Sequence, residues 1–198
     1  MTPRARIALA FALLLTALVL ALYWPKPAAH QAMAPSGVAA IGGAFQLVDH
    51  RSEVVSDQSL RGRPLLIAFG YTSCPDVCQM MLQNISEALD QLGDHAREIE
   101  PLFITFDPAR DTAQVLADHL DNFHPAIRGL TGTADQVAVA AKAYHVYYKR
   151  AEGGDPENYL MEHSSHIYLM DAAGRYVRHF SHHAAPDDIA EAIRAALK

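Results

Sequence analysis

The 198-residue sequence predicts one α/β domain built on a single sheet, preceded by a single N-terminal membrane-spanning helix. Three observations carry this reading. Residues 7–24 form a long apolar run without charge. Residues 64–71 (PLLIAFGY) and 99–106 (IEPLFITF) read as strands buried on both faces. Segments with helical spacing of apolar residues follow each of those strands. With 51% hydrophobic and 19% charged residues, the chain is long enough for one full core and short for two.

The first run, IALAFALLLTALVLALYW, would extend roughly 27 Å as a helix. Arg4 and Arg6 precede it, and Tyr23-Trp24 stand where an interfacial aromatic belt would lie, so the N-terminus is expected inside and the domain outside. Signal-peptide cores usually run about 7–15 residues, which favours an uncleaved anchor over a cleaved signal. Ala32-Met33-Ala34 offers the small-x-small pattern that cleavage would use, and no cysteine follows the run to carry a lipid. Residues 25–40 (PKPAAHQAMAPSGVAA) lack periodicity and read as a linker. The expected organisation is an anchor at 1–24, a linker at 25–40 and a domain at 41–198.

Three of the 16 basic residues and none of the 22 acidic ones lie in the first 34 positions. The remainder carries 13 against 22, a formal −9, which speaks against nucleic-acid binding and is compatible with cationic partners. Export would place the thiols in an oxidising compartment, where a pair closes to a disulfide unless it is kept reduced or metallated.

Along the domain, AFQLVDH (44–50) and EVVSDQSL (53–60) suggest a short hairpin or extended start. The strand at 64–71 runs into the cysteine stretch. Val77, Met81, Ile85, Leu89 and Leu92 then recur at helical spacing, with Gly93 as a stop. The strand at 99–106 ends at Asp107-Pro108. A helix is expected over 112–123, capped by Asp111 or Thr112, and Thr131-Gly132-Thr133 leads into another at 134–143. Residues 151–158 form a polar loop. Residues 167–171, the turn Ala172-Ala173-Gly174 and residues 175–180 make a hairpin, and 186–197 close the chain as an amphipathic helix. This order is that of a thioredoxin-like domain, though the pattern alone supports only an α/β fold with one sheet; the cysteines at the junction of the first central strand and its helix make the specific reading.

Cys74 and Cys78 are the only cysteines. Cys74 falls at the expected helix start, with Pro75 in the first turn, where a missing N–H costs nothing. Free N–H groups and the helix dipole there favour a thiolate, lowering the pKa from about 8.5. Residues four apart share a helix face with Cβ atoms about 5–6 Å apart. Two such thiolates suit one soft ion, and a small adjustment brings them within disulfide range. The spacing is one residue wider than the CxxC of dithiol oxidoreductases. Cu(I) accepts two thiolates plus one imidazole, whereas zinc would want four ligands, so a third ligand should come from elsewhere. The alternatives are a thiol–disulfide exchange couple, a peroxidatic pair, and a structural disulfide whose small loop would stabilise little.

Among eleven histidines, His182-His183 lies beside His179 in an expected loop suited to adventitious metal binding. His119, His124 and His145 lie in or beside expected helices, and His30, His50 and His95 in the linker and turns. His163 and His166 immediately precede the hairpin strand, in a loop that a thioredoxin-like sheet sets beside the cysteines. In an extended segment they face opposite ways, so one of them should meet the thiols, and the residues alone do not choose which.

The segments FGYTSCPDVC (69–78), TFDPARDT (105–112), GLTGT (129–133), AYHVYY (143–148) and NYLMEHSSHIYLMDAAGRY (158–176), in that order, are similar to the Sco/SenC family of copper-binding assembly factors for cytochrome c oxidase. The resemblance runs from about residue 42 to the C-terminus and includes the anchor. It implies a thioredoxin-like fold and copper, as Cu(I) and/or Cu(II), bound through Cys74, Cys78 and one distal histidine. His163, preceded by Glu162, matches the family's D/E-H-S/T element, and His166 falls where that pattern varies. The implied function is delivery of copper to the copper A site of oxidase subunit II, or alternatively reduction of that subunit's cysteines before metallation. Another periplasmic copper chaperone or a thiol reductant is implied as a further partner. The implied location is the bacterial inner membrane, single-pass, with the domain in the periplasm. Asp107 resembles an acidic residue near the metal loop, while its plainer role is to end a strand before Pro108. Gln79 departs from the family, which often has a proline there. Where thioredoxins place a cis-proline opposite the cysteines, this chain reads His163-Ser164-Ser165.

Overall fold

The computed structural model describes residues 41–153, 155 and 158–198. The expected anchor at 1–24 and linker at 25–40 lie outside them. Among the described residues no helix is long and apolar enough to cross a membrane.

The elements follow in the order β1 (Gln46–Asp49), β2 (Val54–Ser56), β3 (Leu65–Gly70), α1 (Val77–Leu92), a 3-10 helix (Gly93–Glu98), β4 (Glu100–Thr105), α2 (Ala113–Leu120), β5 (Arg128–Thr131), α3 (Ala134–Ala143), β6 (Tyr148–Arg150), β7 (Met161–His163), β8 (His166–Met170), β9 (Tyr176–Ser181) and α4 (Pro186–Ala196). Seven strands form one sheet in the order β2-β1-β5-β4-β3-β8-β9, and β6 pairs with β7 in a separate ribbon. The two continuous apolar runs lie side by side at the centre, β3 parallel to β4 with Leu65 opposite Glu100 and Gly70 opposite Thr105. All twelve of their residues are buried, as strands covered on both faces must be.

Alternation along β3 divides the core. Leu66 and Ala68 face a layer made by α1, α2 and α4, including Met81, Leu82, Ile85, Leu89, Leu116 and Ile189. Leu65, Ile67 and Phe69 face the other side, where Phe45, Val137, Ala140 and Tyr144 pack and where both cysteines sit. Each buried leucine or isoleucine in these layers contributes about 2 kcal/mol by removal from water.

Helix α1 begins at Val77, two residues later than the first-turn position expected for Pro75, so Cys74 and Pro75 precede the helix. A turn in which the Cys74 N–H donates to the Tyr71 carbonyl (3.2 Å) occupies the junction instead. The helix ends where expected, at Gly93, whose φ of 56° lies in the region that favours glycine. Thr112 rather than Asp111 caps α2, its Oγ1 accepting from the Val115 N–H (3.3 Å). Thr133 and Gln136 form a reciprocal capping box on α3. That helix stops with His145 in the left-handed region (φ 55°), and the Val146 N–H donates back to the Ala141 carbonyl (2.8 Å). Strand β5 and the β6–β7 ribbon have no counterpart among the sequence expectations.

Candidate metal centre

The strand-to-helix junction is shaped by what lies at the end of β3. A Cβ on Gly70 would stand 2.9 Å from Cys78 Sγ and 2.6 Å from the Phe103 ring, so only glycine lets the Cys78 sulfur lie against the strand end. The loop that follows is held by Asp111, a carboxylate with 0% exposure. It accepts from the Thr72 N–H (3.0 Å), Thr72 Oγ1 (2.6 Å) and Thr105 Oγ1 (2.5 Å). Its own carbonyl accepts from Thr131 Oγ1 (2.8 Å). Asp111 thus ties the cysteine loop to the ends of β4 and β5, a role that its place in the sequence disguises as helix capping.

Helix α1 has no side-chain cap at Asp76. The Cys74 sulfur takes that place, accepting from the Cys78 N–H at 3.4 Å. The two cysteines are therefore not on one helix face; the first caps the helix that carries the second. Both are free and buried, at 5% and 0% exposure. A hydrogen bond from the Cys78 thiol, aided by His163 and the N–H groups of Cys78 and Asp76, overcomes the cost of burial and holds the Cys74 thiol at about 4. The same hydrogen bond, together with burial and the adjacent thiolate, pushes the Cys78 thiol up. In the metal-free protein the pair therefore holds one proton and one charge.

The third group comes from β7, where His163 pairs with Tyr148 of β6. Its ring lies 4.9 Å from Phe106 and 5.9 Å from Tyr71, and Phe106 stacks on Tyr148 at 5.4 Å. The Met161 N–H donates to Tyr71 Oη (3.3 Å), fastening the strand that carries the histidine to the cysteine stretch. Asp107 accepts from Arg110 Nε (2.6 Å) and from Tyr159 Oη (2.7 Å), and the Arg110 guanidinium lies 3.7 Å over the Tyr159 ring. The carboxylate at the end of β4 thereby anchors the approach to β7. His163 Nδ1 is engaged with the Ser164 carbonyl (3.1 Å) and Ser165 Oγ (3.3 Å), which leaves Nε2 as the nitrogen free for a ligand role. Burial opposes protonation of this imidazole, but the Cys74 thiolate and the Ser164 carbonyl outweigh it and raise its pKa.

The ligand atoms of Cys74, Cys78 and His163 all lie within 4.8 Å of one another. Among the described residues this is the one group of three Cys, His, Asp or Glu donors so gathered. Two sulfurs and an imidazole form a soft donor set with too few ligands for a closed zinc site, and they fit a monovalent or divalent copper ion. His166, three residues on, lies at the start of β8 opposite Ser181, its ring against His179 and Tyr168. The break at Ser164-Ser165 between β7 and β8 sends the two histidines to different neighbours. Tyr71, Phe106, Tyr159 and Arg110 were not singled out in the sequence, where they read as core or loop residues.

The family model SCO1/SenC matches residues 33–198. A SCO2-like protein of Rickettsia felis is 41% identical over 179 residues, covering 89% of this chain and 87% of that protein. The structure of Bradyrhizobium japonicum ScoI with copper bound superposes with a TM-score of 0.75 at 41% identity, over 79% of this chain and 99% of that one. Arabidopsis thaliana ScoI with copper bound superposes with a TM-score of 0.74 at 32% identity, over 80% and 98%. The mixed α/β architecture is the thioredoxin-like one these proteins share, and the chain belongs to the SCO1/SenC family.

Proposed function

We propose that the protein is a copper metallochaperone, with copper as its cargo, held by Cys74 Sγ, Cys78 Sγ and His163 Nε2. The observation that carries this reading is the gathering of those three donors within 4.8 Å with one thiolate already formed. Copper-bound relatives of the same fold support it. Capture replaces the proton shared by the two sulfurs and any proton on the imidazole, so binding releases protons. The recipient is the copper A site of cytochrome c oxidase subunit II, which the family resemblance supplies. A site of three ligands leaves copper open to an incoming thiolate, which suits transfer. Residues 1–24 serve as a single-pass anchor in the bacterial inner membrane, residues 25–40 as a linker, and the domain at 41–198 faces the periplasm. A second periplasmic copper chaperone or a thiol reductant loads or resets the site.

One observation favours a second activity at the same residues. A thiolate at about 4 beside a protonated thiol is the arrangement of a dithiol reductant. In that reading Cys74 attacks a disulfide of subunit II, the mixed disulfide is resolved by Cys78, and the chain leaves as the Cys74–Cys78 disulfide while both partner thiols are released. The two roles separate on His163→Ala, which should abolish tight copper binding and leave reduction of an oxidised subunit II fragment by the apo-protein intact. Copper titration of the full chain against a competing chelator tests the first role. Unchanged affinity in Cys78→Ser would contradict it.

A further inference from the structure

Four of the eleven histidines fall between residues 166 and 183, at the outer edge of the sheet. His166 on β8 pairs with Ser181 on β9, and Tyr168 pairs with His179, so His166 and His179 are diagonal neighbours on one face of the hairpin. Their rings lie 5.1 Å apart at 85°. An imidazole nitrogen about 2.0–2.1 Å from a metal puts its ring centre roughly 3.2 Å away, so two such ligands at 90–110° have centres about 4.5–5.2 Å apart. The observed separation falls in that range.

The surroundings are those of a prepared ligand pair. Tyr176 Oη meets His179 Nδ1 at 2.6 Å, an oxygen on the rear nitrogen that leaves Nε2 to a metal. His182 and His183 follow in a turn closed by the Ala184 N–H on the Ser181 carbonyl (3.0 Å). Asn84 Nδ2 of α1 pins that turn by donating to the carbonyls of His182 (3.3 Å) and Ala184 (3.2 Å). Both protein donors are nitrogen, unlike the sulfur-dominated set at Cys74 and Cys78.

We propose that the open end of the β8–β9 hairpin is a second metal site, in which His166 and His179 hold a borderline divalent cation of the Cu2+, Ni2+ or Zn2+ class, with water completing the coordination. The site is separate from the thiolate centre and does not depend on its function. It lies within about 11 Å of His163 along the backbone, since three residues span no more than that. Borderline divalent ions favour imidazole, whereas Cu(I) favours thiolate, so the two sites select different forms of metal.

The test uses the full chain carrying Cys74→Ser and Cys78→Ser, titrated with Ni2+ and separately with Cu2+ alone. One equivalent of each should bind, with nitrogen hyperfine structure in the Cu2+ electron paramagnetic resonance spectrum. His166→Ala and His179→Ala should each weaken binding tenfold or more, and His124→Ala not at all. Should the cysteine-free chain fail to fold, the same substitutions in the wild-type chain should lower Cu2+ stoichiometry from two equivalents to one. Absence of the second equivalent, or affinity unmoved by His166→Ala with His179→Ala, overturns the proposal.

Discussion

At the amino ends of β4 and β5, Glu100 and Arg128 form an ion cluster with Arg63 and the fully buried Asp49. Arg128 Nε meets Asp49 Oδ2 at 2.7 Å, and the Asp49 carboxylate also accepts from the N–H groups of Arg51 (2.9 Å) and Glu53 (2.8 Å). At the carboxyl ends of β3 and β4, beside the buried Asp111 carboxylate and the Asp107–Arg110 ion pair, lies the Cys74 thiolate. Its donors are a thiol, an imidazole and two backbone N–H groups. The first end neutralises its charges with full counter-ions. The second holds a sulfur anion with donors that a cation can displace. One arrangement fixes the fold, and the other leaves an anionic pocket for a metal.

The contrast breaks most clearly on substitution of the thiolate. Cys74→Ser should weaken Cu(I) binding at least a thousandfold, about 4 kcal/mol, while moving the thermal midpoint little, because the change is nearly isosteric. A competition titration alongside a melting curve measures both. Asp49→Ala should do the reverse, costing about 3 kcal/mol of stability because Arg128 loses its closest carboxylate and the Arg51 and Glu53 N–H groups lose their acceptor, with copper affinity unchanged. Burial works to raise the Asp49 pKa, but the Glu53 and Arg51 N–H groups and Arg128 outweigh it, so the folded value is depressed. Its contribution is present above the ordinary carboxylate range and is lost as pH falls through the depressed value. The stability gap between wild type and Asp49→Ala should therefore narrow in acid, as urea unfolding at a series of pH values will show.

Gly70→Ala joins the two properties, because its methyl group would press on both Phe103 and Cys78 Sγ. A loss of about 2 kcal/mol in stability and a weakened copper site are expected together, by the same two measurements. The last effect is that of pH on copper affinity, and it is graded rather than all-or-none. Cys78 and His163 both have raised pKa values and must be deprotonated to bind, so apparent affinity should rise with pH, by about tenfold per unit for each proton released. Calorimetry in buffers of different ionisation heat counts those protons.

Much of this was legible in the sequence because burial leaves a periodic trace. The strands at 64–71 and 99–106 and the helix with Val77, Met81, Ile85, Leu89 and Leu92 on one face were readable for that reason, and so was the place of the cysteines between them. Strand β5 was not readable: Arg128–Thr131 is four residues, RGLT, with no alternation, and it is a strand only because β4 and β1 flank it. The β6–β7 ribbon joins YKR to MEH, polar segments whose pairing depends on closure of the intervening loop. The start of α1 was misplaced because Pro75 suits a first turn, while the Cys74 sulfur itself supplies the cap. The residues could not separate His163 from His166, since the break at Ser164-Ser165 that parts them has no periodic signature. The family resemblance favoured His163, and the structure brings His163 to the thiols.

The most direct measurement is Cu(I) affinity of the full chain in His163→Ala and His166→Ala, each compared with wild type by chelator competition. A large loss in His163→Ala with wild-type affinity in His166→Ala is expected. Wild-type affinity in His163→Ala, or equal losses in both, would contradict a site built from Cys74, Cys78 and His163.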